Sequence, residues 1–233
     1  MAQTSWRKLV VVIFGCKESG KDTFGKMLAE AFAKDGWNAE MMSFADPLKQ
    51  AARHLLGIPL EVLRGSAEVK EDPKHAVYGK TPRKWLQWLG TEIGRDMIDQ
   101  DLWVHRFGDA CLDAFKRPSL AGFTDVVIGT DGRFFNEREK IGPYLCKRRD
   151  DVFFWPVALK RPSTFPTTEP EHESEREVWR MTGPNCVDMV AAYEASGFAW
   201  SVLNDGTMTD LRRKAEWLAA DMIELEGRSR VPK

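Results

Sequence analysis

Two glycines and a lysine at a fixed spacing are the residues of this sequence best suited to phosphate chemistry. Gly15 and Gly20 bracket a short loop, and Lys21 follows at once in the order GCKESGK. Backbone N–H groups of such a loop point into one concavity, the following helix adds positive potential, and the ammonium group reaches the β and γ phosphates. The spacing predicts a P-loop that binds a nucleoside triphosphate. The alternative is a glycine-rich turn before an ordinary helix.

The position after the lysine departs from the usual pattern. It holds Asp22, followed by Thr23, where most P-loops carry a serine or threonine that ligates magnesium. A carboxylate is also a hard oxygen ligand, and the sequence leaves open whether it contacts the ion directly or through water. We therefore expect Mg²⁺ as the cofactor, with Asp22 as one of its ligands.

A second candidate site lies at the end of another apolar run. Residues 124–130 read TDVVIGT and are followed by Asp131, Gly132 and Arg133. Because the carboxyl ends of parallel strands face the ligand crevice, we expect Asp131 and Arg133 beside the P-loop. The carboxylate suits magnesium or its waters, and the guanidinium suits phosphate charge. The alternative is an ordinary Asp-Gly turn.

A polar stripe provides candidates for binding a second substrate. It recurs every four residues on one face of a predicted helix and comprises Arg83, Gln87, Thr91 and Arg95. The core-facing stripe of the same helix comprises Trp85, Leu89, Ile93 and Met97. A glycine inside a helix costs about 1 kcal/mol relative to alanine, so Gly90 and Gly94 indicate close approach by a ligand or another backbone. A solvated helix face is the alternative.

Apolar runs and amphipathic segments predict the elements that position these residues. The alternation of strands and helices indicates an α/β fold. The charged stretch 58–80, broken by proline and glycine, is interpreted as a flexible connection. Residues 160–177 carry three prolines and an acidic run and are predicted to form a mobile lid. The predicted strands cover residues 9–14, 39–44, 124–130, 152–159 and 198–203.

Length and composition limit the classes of protein. A chain of 233 residues suits one large α/β domain, 1–233, and a net charge of −1 gives no general attraction to nucleic acid or anionic membranes. The cysteines and histidines lack zinc-site spacing. No apolar run approaches the ~20 residues that span a bilayer, and residues 1–8 lack the apolar region of a signal peptide. We expect a cytoplasmic protein without nucleic-acid or membrane partners.

Six motifs together resemble the bacteriophage deoxynucleoside monophosphate kinases, P-loop relatives of adenylate kinase. The resemblance covers about residues 8–225, and the family likewise has GKDT in its loop. It implies transfer of the ATP γ-phosphoryl group to a deoxynucleoside monophosphate, with magnesium, for phage DNA precursor synthesis in the host cytoplasm. It also implies a three-layer fold around a five-stranded parallel sheet, with a mobile lid. The motifs are GCKESGKDTF, SFADPLKQA, TPRKWLQWLGTEIGRD followed by Trp103, VVIGTDGRFFNE, LKRP and VLNDGTMTDL.

The resemblance implies roles for individual residues, and residues 58–100 are the expected acceptor-binding region. The expected catalytic residues are Lys21, Asp131, Arg133 and Arg161, and the expected metal ligands are Asp22 and Asp131. The expected ATP-binding residues are Gly15, Lys17, Ser19, Gly20, Lys21, Asp22, Thr23, Asn204 and Gly206. We assign to the acceptor Lys49, Arg83, Gln87, Arg95, Trp103 and Arg133.

Three other functions are compared with this one. A kinase of another small acceptor, such as phosphomevalonate, would share the GKD loop. A P-loop protein that binds nucleotide without turnover is compatible with residues 9–24, but it leaves the arginines at 83, 133 and 161 unexplained. A regulatory GTPase should carry an NKxD motif, which the sequence lacks. The accepted base, the preference for deoxyribose and the oligomeric state, including a homodimer, also stay open.

Overall fold

The computed structural model describes residues 8–119, 122–171, 173–182 and 198–228. Within these residues the chain forms two compact units. The first contains the residues up to Met42 and from Ala110 onward, and the second is Ser43–Asp109. The expected acceptor-binding region, 58–100, falls entirely within the second unit, and the description of 1–233 as one kinase domain stays a prediction.

A five-stranded parallel sheet organises the first unit. The order across the sheet is β2 (Ala39–Met42), β5 (Val126–Gly132), β1 (Lys8–Phe14), β6 (Val152–Lys160) and β7 (Trp200–Leu203), so β1 lies at its centre. In an open parallel sheet the ligand crevice lies where the strand order reverses, and the loop after β1 lies there. Strands β3 (Pro118–Ser119) and β4 (Gly122–Phe123) pair with each other separately.

Helices connect most of these strands along the chain, and one helix follows the last strand. In the first unit they are α1 (Lys21–Lys34), α7 (Phe135–Cys146), α8 (Glu173–Thr182) and α9 (Met208–Arg228). In the second unit they are α2 (Ala45–Leu56), α3 (Leu60–Arg64), α4 (Ala67–Glu71) and α5 (Pro82–Trp88). Helix α6 (Leu102–Ala114) runs from the second unit into the first.

Helices cover both faces of the sheet. On one face α1 and α9 share a buried core with β1, β5, β6 and β7. Phe153 and Trp155 of β6 pack against this core, so Phe154 between them points to the opposite face. There Gly142 of α7 lies against it, since a Cβ added to the glycine would be 3.2 Å from the Phe154 ring. The three-layer α/β fold around a five-stranded parallel sheet is thereby confirmed.

The predicted strands differ from the observed ones by one or two residues at their ends. The strand predicted for 39–44 ends at Met42, because Phe44 belongs to the second unit and stacks on Phe107 at 3.9 Å between ring centroids. Strand β5 continues to Gly132, which pairs with Phe14 of β1. Asp131 therefore belongs to the strand end, and the alternative of an isolated Asp-Gly turn is wrong.

The second unit contains more regular structure than the sequence predicted. The stretch 58–80, interpreted as a flexible connection, holds α3, α4 and a 3₁₀ turn at Pro73–His75. Ile58, Val62 and Leu63 are buried in a core with Trp85. The interpretation was wrong because each helix spans only five residues, which is too short to show a sustained apolar period.

The predicted helix with the polar stripe changes its winding halfway. After α5 the chain continues as a π-helix, Leu89–Ile98. The expected core position of Met97 is wrong, since this residue is 78% exposed. The close approach expected at Gly90 comes from a side chain, since a Cβ there would lie 3.1 Å from Leu48. At Gly94 a Cβ would lie 2.8 Å from both the Leu89 carbonyl oxygen and the Trp103 ring.

Candidate active site

The loop between β1 and α1 has the backbone geometry that the glycine spacing predicted. Gly20 has φ of +93°, a conformation that favours glycine, and a Cβ there would lie 2.7 Å from Nδ2 of Asn204. At Gly15 a Cβ would lie 2.4 Å from the carbonyl oxygen of Leu159 in β6. A side chain at either position would push the loop away from its neighbouring strand ends.

An open pocket of about 560 Å³ lies beside this loop. It collects residues from the carboxyl ends of β1, β5 and β6, which all lie at one edge of the sheet. Four cationic and three acidic side chains share its wall, so the pocket suits an anionic ligand together with a metal cation. The lining residues are Lys17, Glu18, Gly20, Lys21, Asp22, Thr23, Thr130, Asp131, Arg133, Arg161 and Thr164.

Lys21 is held at the base of the loop. Its ammonium group donates to the carbonyl oxygens of Gly15 at 2.6 Å and Cys16 at 2.8 Å, and the residue is only 8% exposed. Burial, with a smaller contribution from the positive charge of Arg133, lowers the pKa of Lys21 from 10.5 to about 8. A phosphate group would favour the charged form, so binding of an anion and protonation of Lys21 are coupled.

Asp22 is oriented by a residue of the neighbouring strand. The Thr130 hydroxyl donates to Oδ1 of Asp22 at 2.7 Å, and Thr130 is only 6% exposed. Asp131, the next residue of β5, lines the same pocket. Among the residues that the structure describes, no group of three or more histidine, cysteine or acidic side chains forms a metal cage. Magnesium commonly takes one or two carboxylates and completes its shell with phosphates and waters, so Asp22 and Asp131 fit this ion.

Arg133 is fixed from two sides. Its backbone N–H donates to Oε2 of Glu137 at 2.8 Å, and the buried Glu137 carboxylate also accepts from the N–H of Phe134 at 3.0 Å. Its guanidinium group forms an ion pair with Oε1 of Glu175 on α8. The other oxygen of Glu175 accepts a hydrogen bond from the backbone N–H of Lys17 at 2.8 Å. An acidic side chain thus contacts both a P-loop amide and the arginine of β5.

Residues after β6 and β7 complete this edge of the sheet. Arg161 and Thr164, directly after β6, line the pocket. Asn204 follows β7 and donates from Nδ2 to the carbonyl oxygen of Ser19 at 2.9 Å, which ties the P-loop to the sheet. The hydroxyl of Ser19 is buried and has no hydrogen-bond partner among the described residues. Gly206 is exposed in the turn before α9 and does not line the pocket.

The expected acceptor residues other than Arg133 lie in the second unit. Arg83 and Gln87 are half-buried on α5. Arg95 donates to the carbonyl oxygen of Gly90 at 3.2 Å. Trp103 donates from Nε1 to the same oxygen at 2.8 Å and is only 8% exposed, which leaves its ring little surface for a nucleotide. Nζ of Lys49 lies 3.7 Å from Oδ1 of Asp46, three residues earlier on α2.

Outside the loop itself, four described residues at the site were not singled out in the sequence. Glu137 stands in the first turn of a helix, where an acid is favoured, and this signal could have indicated it. Glu175 likewise stands in the first turn of α8, whereas Thr130 and Thr164 carry no such local signal. Thr130 reaches Asp22 across 108 positions of sequence, and Glu175 reaches Lys17 across 158.

Sequence comparison finds a viral relative. The chain is 33% identical over 149 residues, which are 60% of this chain and 72% of the relative, to an Acanthamoeba polyphaga mimivirus protein. That protein is named "Putative deoxynucleotide monophosphate kinase". No model of a protein family matches the chain. Among the described residues no helix is long and apolar enough to cross a membrane.

Structural comparison finds a protein named APE1195 and several proteins named as kinases. A structure named APE1195 superposes with a TM-score of 0.47 and 14% identity over 95% of this chain and 99% of that chain. The Mycobacterium tuberculosis APS kinase CysC, in complex with AMPPNP and APS, gives a TM-score of 0.41 and 12% identity over 94% and 98%. A gluconokinase from Sinorhizobium meliloti gives 0.41 and 14% over 97% and 99%. These scores are low, and the fold assignment stands on the strand order and the loop.

Proposed function

Because the chain belongs to the deoxynucleotide monophosphate kinase family, we propose that it transfers the γ-phosphoryl group of ATP to a deoxynucleoside 5′-monophosphate. The observation that carries this proposal is the pocket at the sheet edge, where Lys21, Asp22, Arg133 and Arg161 come together. A lone P-loop needs only its lysine and amides for triphosphate binding. Arginines from two further strand ends support phosphoryl transfer, in which charge spreads over the transferred group.

The proposed mechanism is positioning and neutralisation of charge. Lys21 and the loop amides bind the phosphates of ATP, and Arg133 and Arg161 balance the charge that develops during transfer. The acceptor oxygen already belongs to a phosphate, so no residue is needed to remove a proton from it. Water must be excluded from the pocket to limit hydrolysis, and the segment 160–177 is the candidate lid for this role.

Magnesium would be held by Asp22 and Asp131 in this proposal. When bound, the ion neutralises phosphate charge and orients the ATP phosphates. The protein would orient Asp22 for this role, because the Thr130 hydroxyl fixes one carboxylate oxygen of Asp22 and leaves the other available to the ion.

The acceptor is proposed to bind through the second unit. Arg83 offers a cation for the monophosphate, and Gln87, one turn later on the same helix, offers an amide for a base edge. An amide can donate or accept, so Gln87 is compatible with more than one base. By the family resemblance we propose dGMP or dTMP as the best acceptors, with weaker activity on ribonucleotides.

An ADP-release assay with a panel of acceptors tests the proposal. It supplies ATP, Mg²⁺ and each of the ribo- and deoxyribonucleoside monophosphates, with phosphomevalonate as a comparison. We expect ADP release that depends on a deoxynucleoside monophosphate. Release only with phosphomevalonate would favour a kinase of another acceptor, and binding of ATP without release would favour a nucleotide-binding protein that lacks turnover.

The cellular location and the biological role of the reaction belong to the same proposal. ATP and nucleoside monophosphates are metabolites of the cytoplasm, and a cytoplasmic location follows if the substrates are correct. The role in phage DNA precursor synthesis rests on the family resemblance alone. Expression in a host cell, followed by measurement of its deoxynucleotide pools, would test whether the enzyme supplies DNA precursors.

A further inference from the structure

We propose that the Glu175 carboxylate competes with the phosphate groups of the nucleotide and sets the affinity of the site for its ligand. This inference rests on the proposed function, because it assumes that phosphates bind at the P-loop. It adds a residue of α8, within the candidate lid segment 160–177 but outside the six motifs of the resemblance, that opposes binding and must be displaced when nucleotide enters.

The contacts of Glu175 are those expected of a phosphate oxygen pair. Oε2 accepts from the Lys17 N–H at 2.8 Å, and Oε1 is paired with the Arg133 guanidinium. Loop amides and arginine side chains both bind phosphate oxygens in sites of this kind. Lys17 and Arg133 both line the pocket, so Glu175 takes up part of its anion-binding capacity.

The charge of Glu175 also acts on the buried groups of the loop. Burial and, next in size, the Glu175 charge raise the pKa of the Cys16 thiol to about 11. The same carboxylate favours the charged form of Lys21. A phosphate arriving at the loop would meet this negative charge, and two anions cannot share the same amide and guanidinium without strong repulsion.

Helix α8 holds Glu175 in place by contacts that do not involve the pocket. Val178, one turn later on the same helix face, is completely buried, and Met181 is 6% exposed. Trp179 donates from Nε1 to the Pro166 carbonyl oxygen at 3.0 Å. Glu177 accepts from the N–H of Phe135 at 2.7 Å. The fold therefore presents an acid to the P-loop on the buried side of α8, and its side chain can leave while the helix stays anchored.

The affinity of two phosphate probes tests this inference. Calorimetric titration with a non-hydrolysable ATP analogue and Mg²⁺, and separately with inorganic tripolyphosphate, is carried out on the parent protein, Glu175→Gln and Glu177→Gln. Glu175→Gln keeps the shape of the side chain and removes its charge. The probe then no longer has to break a charge-assisted contact of residue 175, so we expect its Kd to fall about tenfold for both probes. Glu177→Gln, on the same helix, should stay within about twofold of the parent, and thermal melting checks that both variants fold.

The outcomes separate this inference from the proposed function. An unchanged or larger Kd in Glu175→Gln overturns the competitor role, and a loss of kcat at unchanged Kd would make Glu175 a positioning residue for Arg133. Tighter tripolyphosphate binding in the variant, with no transfer to any nucleotide by either protein, keeps the inference and refutes the function. Absence of binding of both probes to parent and variant refutes both.

Discussion

The hydrogen bond from Thr130 to Asp22 provides a sharp test of how magnesium is held. Thr130→Val keeps the size and branching of the side chain and replaces the donor hydroxyl with a methyl group. The bond measures 2.7 Å, its donor is buried and its acceptor is a carboxylate. Hydrogen bonds to charged groups contribute about 1.5–3 kcal/mol. Because Asp22 is exposed, water can replace part of the loss, and we expect the lower end of this range.

The expected effect is about 1.5 kcal/mol, equivalent to roughly a tenfold increase in the Mg²⁺ concentration needed for half-maximal binding of an ATP analogue. Titration of the analogue at a series of Mg²⁺ concentrations measures this shift directly. The control is Thr124→Val, which removes a buried hydroxyl just before the same strand, where it donates to Glu40 at 3.2 Å. If the curves of Thr130→Val and the parent coincide while Asp22→Asn shifts, Thr130 does not orient the metal ligand.

Four further outcomes follow from the site. Lys21→Ala should lose most phosphoryl transfer and keep its melting temperature within a few degrees, since the ammonium matters where charge develops; turnover equal to the parent would exclude a P-loop role. The pKa of Lys21 is lowered from 10.5 to about 8, so between these pH values the unfolded chain keeps the Lys21 proton and the folded chain has lost it. The contribution of Lys21 to the free energy of unfolding therefore rises with pH in this window. Bound phosphate favours the ammonium, so nucleotide Kd should increase as pH rises through about 8; identical binding heats in buffers of different ionisation enthalpy at pH 8.5 would contradict the implied proton uptake. Amide exchange in the described part of 160–177 should slow more than elsewhere when a bisubstrate mimic binds, and equal exchange would leave this segment a surface loop.

The sequence predicted the parts of the site that depend on local order. Gly15, Gly20 and Lys21 lie within seven positions, and the backbone conformation of Gly20 requires no distant contact to be inferred. The strand ends were predictable because Leu9–Phe14 and Val126–Ile128 are apolar runs typical of buried parallel strands. The parallel sheet then places their carboxyl ends together.

Other features depend on contacts that no local pattern records. The spacing of the apolar residues in 85–97 does not show which hydrogen-bond register the helix backbone adopts. In the structure the N–H of Asp99 donates to the carbonyl oxygen of Gly94, five positions earlier, as in a π-helix. The wider register turns Met97 out of the stripe predicted for an α-helix. Trp103, which the resemblance assigns to the acceptor, takes the space beside Gly94.

Two oxygen-bearing residues at the loop, Asp22 and Thr130, stand in the reverse order to that of the usual P-loop. The common arrangement has a hydroxyl directly after the lysine and an acid at the end of a neighbouring strand, both serving magnesium. Here the acid, Asp22, follows the lysine and the hydroxyl, Thr130, stands at the strand end, and a hydrogen bond joins them. The reversed order keeps a carboxylate and a hydroxyl at the same junction of loop and sheet, and Asp131 beside Thr130 adds a second carboxylate. Because magnesium selects oxygen donors by charge and geometry, we expect a loop that departs from the motif at this position to bind the ion as the proposed function requires.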